Sequence, residues 1–173
     1  MNNTADTDLL YTTTPSPIGM LHIVGDDRYL RHIFFPAHAP QPAPSWQPVD
    51  SLPYPAVEQL SAYFAGTRTE FDLPLNPEGT TFQLEVWAAL EEIPFGETIS
   101  YMELARRVGN PDAVRAAGLA NGKNPLPIVV PCHRVVGSDG SMTGYSGGLS
   151  TKESLLTHEG VPVPERMQQL SLF

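Results

Sequence analysis

The sequence predicts an α+β protein in two parts, a strand-rich first part followed by a mainly helical one. Three observations carry this. Apolar β-prone runs flanking a turn lie before residue 80. Capping signals of the Ser/Thr-x-x-Glu/Gln kind, each answered by a proline or glycine stop, come after it. A turn cluster, Asn76-Pro77-Glu78-Gly79, separates the two and marks the boundary between residues 1–78 and 79–173.

In the first part, Met20–Val24 and Tyr29–Phe35 are apolar runs around Gly25-Asp26-Asp27, which predicts a hairpin. His22 and His32 fall inside these strands and are read as structural histidines. Pro36 to Pro55 is crowded with proline and predicts an irregular connection. Val57, Leu60, Tyr63 and Phe64 recur at helical spacing, so a helix from about Ala56 to Ala65 ends at Gly66. Phe71–Leu75 reads as one more short strand.

In the second part, Thr80 with Gln83 forms a capping box before the stripe Phe82, Val86, Ala89, Leu90 and Ile93, and Pro94-Phe95-Gly96 stops that helix. Ser100 with Glu103 forms another box, opening a helix that Gly109 ends. Asn110 caps a third helix and Pro111 begins it, running through Arg115 toward Gly122. Two short capped helices meeting at a tight corner predict a helix-turn-helix. The second of them is rich in Ala and Gly, with Arg115 as its one prominent donor. Such a surface suits close, sequence-independent approach to a narrow groove better than readout of base edges, and it speaks against a transcription factor.

The chain has 173 residues, 41% hydrophobic and 17% charged, as expected of a globular protein. Its single cysteine excludes an intrachain disulfide and a multi-cysteine zinc site. The polar stretch Met1–Asp8 shows no secretory signal, and no run is long enough to span a membrane, so the expected location is the cytoplasm. The net charge of −9 speaks against a nucleic-acid partner. Its distribution tempers this: between Tyr101 and Arg134 the bases Arg106, Arg107, Arg115, Lys123 and Arg134 face only Glu103 and Asp112.

The one cysteine sits in Asn124-Pro125-Leu126-Pro127-Ile128-Val129-Val130-Pro131-Cys132-His133-Arg134. Ile128–Val130 and Val135-Val136 read as a buried strand broken at Pro131. A polar triplet there costs burial energy unless its groups are hydrogen-bonded or used. A thiol becomes a nucleophile as the thiolate, and His133 and Arg134 are the candidates to lower its pKa. Neighbouring side chains of an extended segment point apart, so His133 is expected to act through water or a bent backbone, with a carboxylate orienting it. Glu159, at the end of a short helix closed by Gly160, is the candidate.

Pro131-Cys132-His133-Arg134-Val135-Val136-Gly137, Gly144-Tyr145-Ser146-Gly147-Gly148-Leu149 and Lys152-Glu153 to His158-Glu159-Gly160 resemble the O6-alkylguanine-DNA alkyltransferase family, in one register from about Phe82 to Gly160. The resemblance implies a ribonuclease-H-like α/β domain over 1–78 and a winged-helix-like domain with a helix-turn-helix over 79–173. It implies single-turnover transfer of an alkyl group from O6-alkylguanine in double-stranded DNA to Cys132, with O4-alkylthymine as a further substrate left open. Arg115 enters the minor groove and fills the gap left by a flipped nucleotide. Tyr101 donates toward the purine, Tyr145 walls the pocket, the Ser146 amide binds O6, and the carbonyls of Cys132 and Val135 accept from the exocyclic amine. Asn124 ties the recognition helix to the active-site segment, and Asn110 and Ser138 touch the DNA backbone. No metal, cofactor or obligate protein partner is implied, and a monomer suffices. The competing readings are a cysteine hydrolase, which adjacent Cys132 and His133 disfavour, and a non-reacting damage sensor, in which a tryptophan would stand at Cys132.

Overall fold

The computed structural model describes residues 8–163; residues 1–7, which hold most of the polar N-terminal stretch, and 164–173 lie outside them. The chain divides into two compact units, 1–78 and 79–173.

The first unit holds a four-stranded sheet in the order β3-β2-β1-β4, with β1 Leu10–Thr14, β2 Leu21–Gly25, β3 Leu30–Phe34 and β4 Gln47–Pro48. β1 and β3 run antiparallel to β2, and β4 lies parallel to β1. The hairpin β2–β3 is where the sequence predicts it. β1 was not anticipated, and β4 lies inside the stretch read as irregular. There Leu9 and Tyr11 draw in the edge, since Gln47 donates to the Leu9 carbonyl at 2.8 Å and Val49 to that of Tyr11 at 2.9 Å.

Leu21, Ile23, Leu30 and Ile33 are buried on the strands, as are Leu60 and Tyr63 on α1, Ala56–Phe64. Phe71–Leu75 is not a strand. Gln59 of α1 takes both backbone groups of Asp72, Nε2 to its carbonyl at 2.9 Å and Oε1 from its amide at 2.8 Å, and Pro74 has no N–H to give. One bridge, Leu30 to Leu75, is all that forms there.

The second unit packs α2 Thr81–Glu91, α3 Tyr101–Arg107 and α4 Val114–Gly122 against one another. The buried Ala117 and Ala120 of α4 permit close approach, and the Trp87 indole of α2 donates to the Ala120 carbonyl at 2.9 Å. The strand pair β5 Ile99–Ser100 and β6 Val135–Val136 is parallel and joins the entry to α3 to the segment after the cysteine. α5 spans Leu149–His158. No helix among the described residues is long and apolar enough to cross a membrane.

The caps match expectation at one helix and differ at two. At α2 the box is complete: Thr80 Oγ1 accepts from the Gln83 amide at 3.2 Å and Gln83 Oε1 from the Thr80 amide at 2.9 Å. Thr80→Ala is therefore expected to lower the unfolding free energy by about 1 kcal/mol in urea denaturation. At α3 only half the box forms, because Glu103 turns to Arg106 and Arg107 at 2.7 and 3.0 Å. The third helix begins at Val114 rather than at Pro111: the Asn110 carbonyl accepts from the Ala113 amide at 3.0 Å, closing a turn over Pro111-Asp112, and Asn110 is not its cap.

Candidate active site

The segment before the cysteine is a knot of local hydrogen bonds, not the strand expected over Ile128–Val130. Asn124 Nδ2 donates to the Val130 carbonyl at 2.7 Å while its Oδ1 accepts from the Leu126 amide at 2.9 Å. The Val130 amide reaches back to the Leu126 carbonyl at 2.8 Å, and the enclosed Ile128 sits at φ 75°. It is the only non-glycine with positive φ among the described residues. A β-branched residue resists that conformation, at a cost on the order of 1–3 kcal/mol, and Asn124 together with the buried side chains of the loop holds it there.

Pro131 then leads into a 3₁₀ turn, Cys132–Arg134, closed by the Arg134 amide on the Pro131 carbonyl at 3.0 Å. In such a turn successive side chains stand a third of a turn apart. The backbone is thus bent at Cys132 and His133, not extended as the sequence suggests.

His133 is fully buried, and its Nε2 lies 2.8 Å from Glu159 Oε1. Arg134 binds the same carboxylate through Nε to Oε2 at 2.8 Å and Nη2 to Oε1 at 2.9 Å, and its Nη1 donates to the Ile93 carbonyl at 2.6 Å. The Gly96 amide adds a donor to Oε2 at 3.2 Å. Burial acts to raise the Glu159 pKa, but the bonds and charges of His133 and Arg134 prevail and hold it well below the ordinary carboxylate range. For His133, burial lowers the pKa; Glu159 opposes this, while Arg134 and Lys152 add to it. The imidazole is therefore neutral. It donates Nε2–H to the carboxylate, which leaves the lone pair on Nδ1, an atom without a hydrogen-bond partner among the described residues.

Cys132 is 2% exposed. Burial pushes its thiol up, against hydrogen bonds from Asn124 and Tyr145 and the charge of Lys152. Lys152 is the residue that sequence reading missed. Fully buried, its amine donates to the Val135 carbonyl at 2.6 Å and lies 3.5 Å from the Tyr101 hydroxyl. It also stands over the rings of Tyr101 and Tyr145, at 5.7 and 6.0 Å from their centroids. Burial lowers its pKa to about 8. A signal existed, since Lys152, Leu155, Leu156 and Glu159 follow i, i+3, i+4, i+7 and put a lysine in the apolar stripe of α5.

The structure thus brings Cys132, His133, Glu159 and Asn124 into one buried site, with Tyr101, Tyr145 and Val135 around Lys152. Tyr101 does not point a free hydroxyl inward: it donates to the Thr143 carbonyl at 2.9 Å. Ser146, Asn110, Ser138 and Arg115 are exposed and stand apart from the network. The basic stretch is thinner than its sequence suggests. Arg106 and Arg107 are tied to Glu103 and Arg134 to Glu159, leaving Arg115 and Lys123 exposed and without an ion pair among the described residues. Among those residues no group of three or more His, Cys, Asp or Glu could hold a metal ion.

Two family models match the chain: 6-O-methylguanine DNA methyltransferase, ribonuclease-like domain, over residues 9–77, and 6-O-methylguanine DNA methyltransferase, DNA binding domain, over 81–161. A methylated-DNA–protein-cysteine methyltransferase of Mycolicibacterium paratuberculosis is 50% identical over 150 residues, covering 86% of this chain and 91% of that one. One from Methanosarcina acetivorans is 48% identical, with 88% and 99% covered. Among solved structures, Mycobacterium tuberculosis OGT in complex with DNA superposes with a TM-score of 0.81 at 48% identity, covering 87% of this chain and 92% of that one.

Proposed function

The chain belongs to the 6-O-methylguanine DNA methyltransferase family, and on that premise we propose that it repairs O6-alkylguanine in duplex DNA by moving the alkyl group to its own Cys132, once per molecule. It is a methylated-DNA–[protein]-cysteine S-methyltransferase. The observation that carries the assignment of roles is the buried His133–Glu159–Arg134 cluster beside the sole thiol.

His133 Nδ1 takes the thiol proton through an intervening water, and Glu159 holds the ring in the tautomer that makes this possible. The positive charge of Lys152 favours the thiolate. The thiolate attacks the alkyl carbon in line: the C–S bond forms as the C–O6 bond breaks, and the electron pair leaves on the purine, which recovers a proton. Tyr101 supplies it once its hydroxyl has turned from Thr143 to the base. The product thioether is a poor leaving group, and the chain has no second thiol to regenerate Cys132.

The flipped base lies against Tyr145, with the Ser146 amide at O6 and the carbonyls of Cys132 and Val135 at the exocyclic amine. Arg115, exposed on α4, enters the minor groove and occupies the place of the flipped nucleotide, and Asn110 and Ser138 contact the backbone. With so few free cations, affinity is modest and salt-sensitive. A lone reduced thiol suits the cytoplasm, and the chemistry requires neither metal, cofactor nor protein partner.

The test is mass spectrometry of the protein mixed with a duplex carrying one O6-methylguanine, beside Cys132→Ala. The expected result is one methyl group per chain, on the Cys132 peptide, and none in the variant. DNA binding without any mass change would make the protein a damage sensor instead.

A further inference from the structure

We propose that Asn121 is a positioning residue that makes the site selective for a base bearing an exocyclic amine, by holding the Cys132 carbonyl and presenting its own side-chain oxygen beside it. The inference rests on the alkyl-transfer reading. Asn121 lies in the last turn of α4 and is 2% exposed. Its Nδ2 donates to the carbonyl of Cys132 at 3.3 Å, and its Oδ1 is buried with no hydrogen-bond partner among the described residues.

A buried amide oxygen without a partner is costly, because it has lost water and gained nothing, and native interiors keep few such atoms. The amide cannot escape by turning over, since that would set Oδ1 against the Cys132 oxygen. Nor is the side chain needed to secure the helix end. The Trp87 indole holds the Ala120 carbonyl, and the backbone amides of Lys123 and Asn124 close on the carbonyls of Ala120 and Asn121.

An unmatched acceptor next to the reacting residue points to a donor that arrives with the substrate. O6-alkylguanine has one. Alkylation at O6 removes the N1 proton, so N1, N3 and N7 are all acceptors and the exocyclic amine carries the only N–H groups of the base. O4-alkylthymine has lost its N3 proton and offers no N–H at all. Cys132 is itself only 2% exposed although the alkyl carbon must reach its sulfur, so admission of the base has to open the same region. The amine supplies the N–H that Asn121 Oδ1 lacks, beside the Cys132 carbonyl that Asn121 Nδ2 already holds. A base without it leaves Asn121 Oδ1 unmatched.

Single-turnover transfer rates from duplexes carrying O6-methylguanine or O6-methylhypoxanthine, the same base lacking the amine, test this in the intact protein. The wild type is expected to favour O6-methylguanine by about tenfold or more. Asn121→Leu and the smaller Asn121→Ala are expected to bring the ratio to within about threefold, with O6-methylguanine losing more than O6-methylhypoxanthine. A ratio unchanged in both variants, or a wild type indifferent to the amine, overturns the proposal. Should the leucine variant not fold, the alanine variant carries the comparison. A wild type that transfers from neither base overturns the alkyl-transfer reading itself, and this inference with it.

Discussion

His133→Gln is expected to slow alkyl transfer by about 10²–10⁴-fold near neutral pH and to leave the chain folded, since help of that size is what a positioned general base supplies. The substitution separates the two functions that the proposed mechanism gives the imidazole. A glutamine amide still offers an N–H to Glu159 Oε1, now 2.8 Å from the ring, so the buried carboxylate keeps its partner. What disappears is the Nδ1 lone pair.

The pH dependence distinguishes this from a packing effect. Burial sets the His133 pKa below its ordinary 6.5, so the neutral base is present above that value and the wild-type rate falls only as pH drops through the lowered pKa. Without the base, the proton of a thiol that burial has already pushed up must leave to solvent hydroxide. The variant's rate is then expected to climb with pH across the range where the wild type is level. Rapid-quench measurement of methylated protein gives both profiles; a variant within about threefold of the wild type at neutral pH would remove His133 from the mechanism.

Much of this site was legible because its chemistry is local. Cys132, His133 and Arg134 are consecutive, and Glu159 follows from a helix whose end Gly160 marks with φ 79°. Thr80 and Gln83 are three residues apart and need nothing else to form their box. What escaped was decided at longer range or by a single atom. Ile128–Val130 has the composition of a strand, and the bond from Asn124 Nδ2 to Val130 turns it into a loop. Phe71–Leu75 lost its strand to Gln59, twelve or more residues away. Lys152 and Asn121 are polar residues on otherwise buried helix faces. Periodicity identifies such positions, but only the folded chain shows that one amine meets the Val135 carbonyl and one amide the Cys132 carbonyl.

Arg134→Met is expected to lower the unfolding free energy by about 3–5 kcal/mol, the largest stability effect anticipated in the second unit, because it strands a buried carboxylate. The Arg134 side chain is 7% exposed and that of Glu159 not at all, so solvent cannot replace the two bonds of 2.8 and 2.9 Å that the guanidinium provides. The loss lies in the broken pair and not in the missing charge as such. Arg134→Met combined with Glu159→Leu removes both ions and is expected to recover a large part of it, as paired apolar replacements of buried ions commonly do. Acid adds a second signature. Because the folded chain holds Glu159 below its ordinary 4.5, the stability it contributes is complete above that pH and is lost as pH falls beneath it. Urea denaturation across that range should therefore show an acid-side decline in the wild type that is shallower in the double variant. If the single variant is as stable as the wild type, the ion pair does not hold the site together. The placing of His133 must then come from its own bond to Glu159 and from the packing of α5 against the Cys132–Arg134 turn.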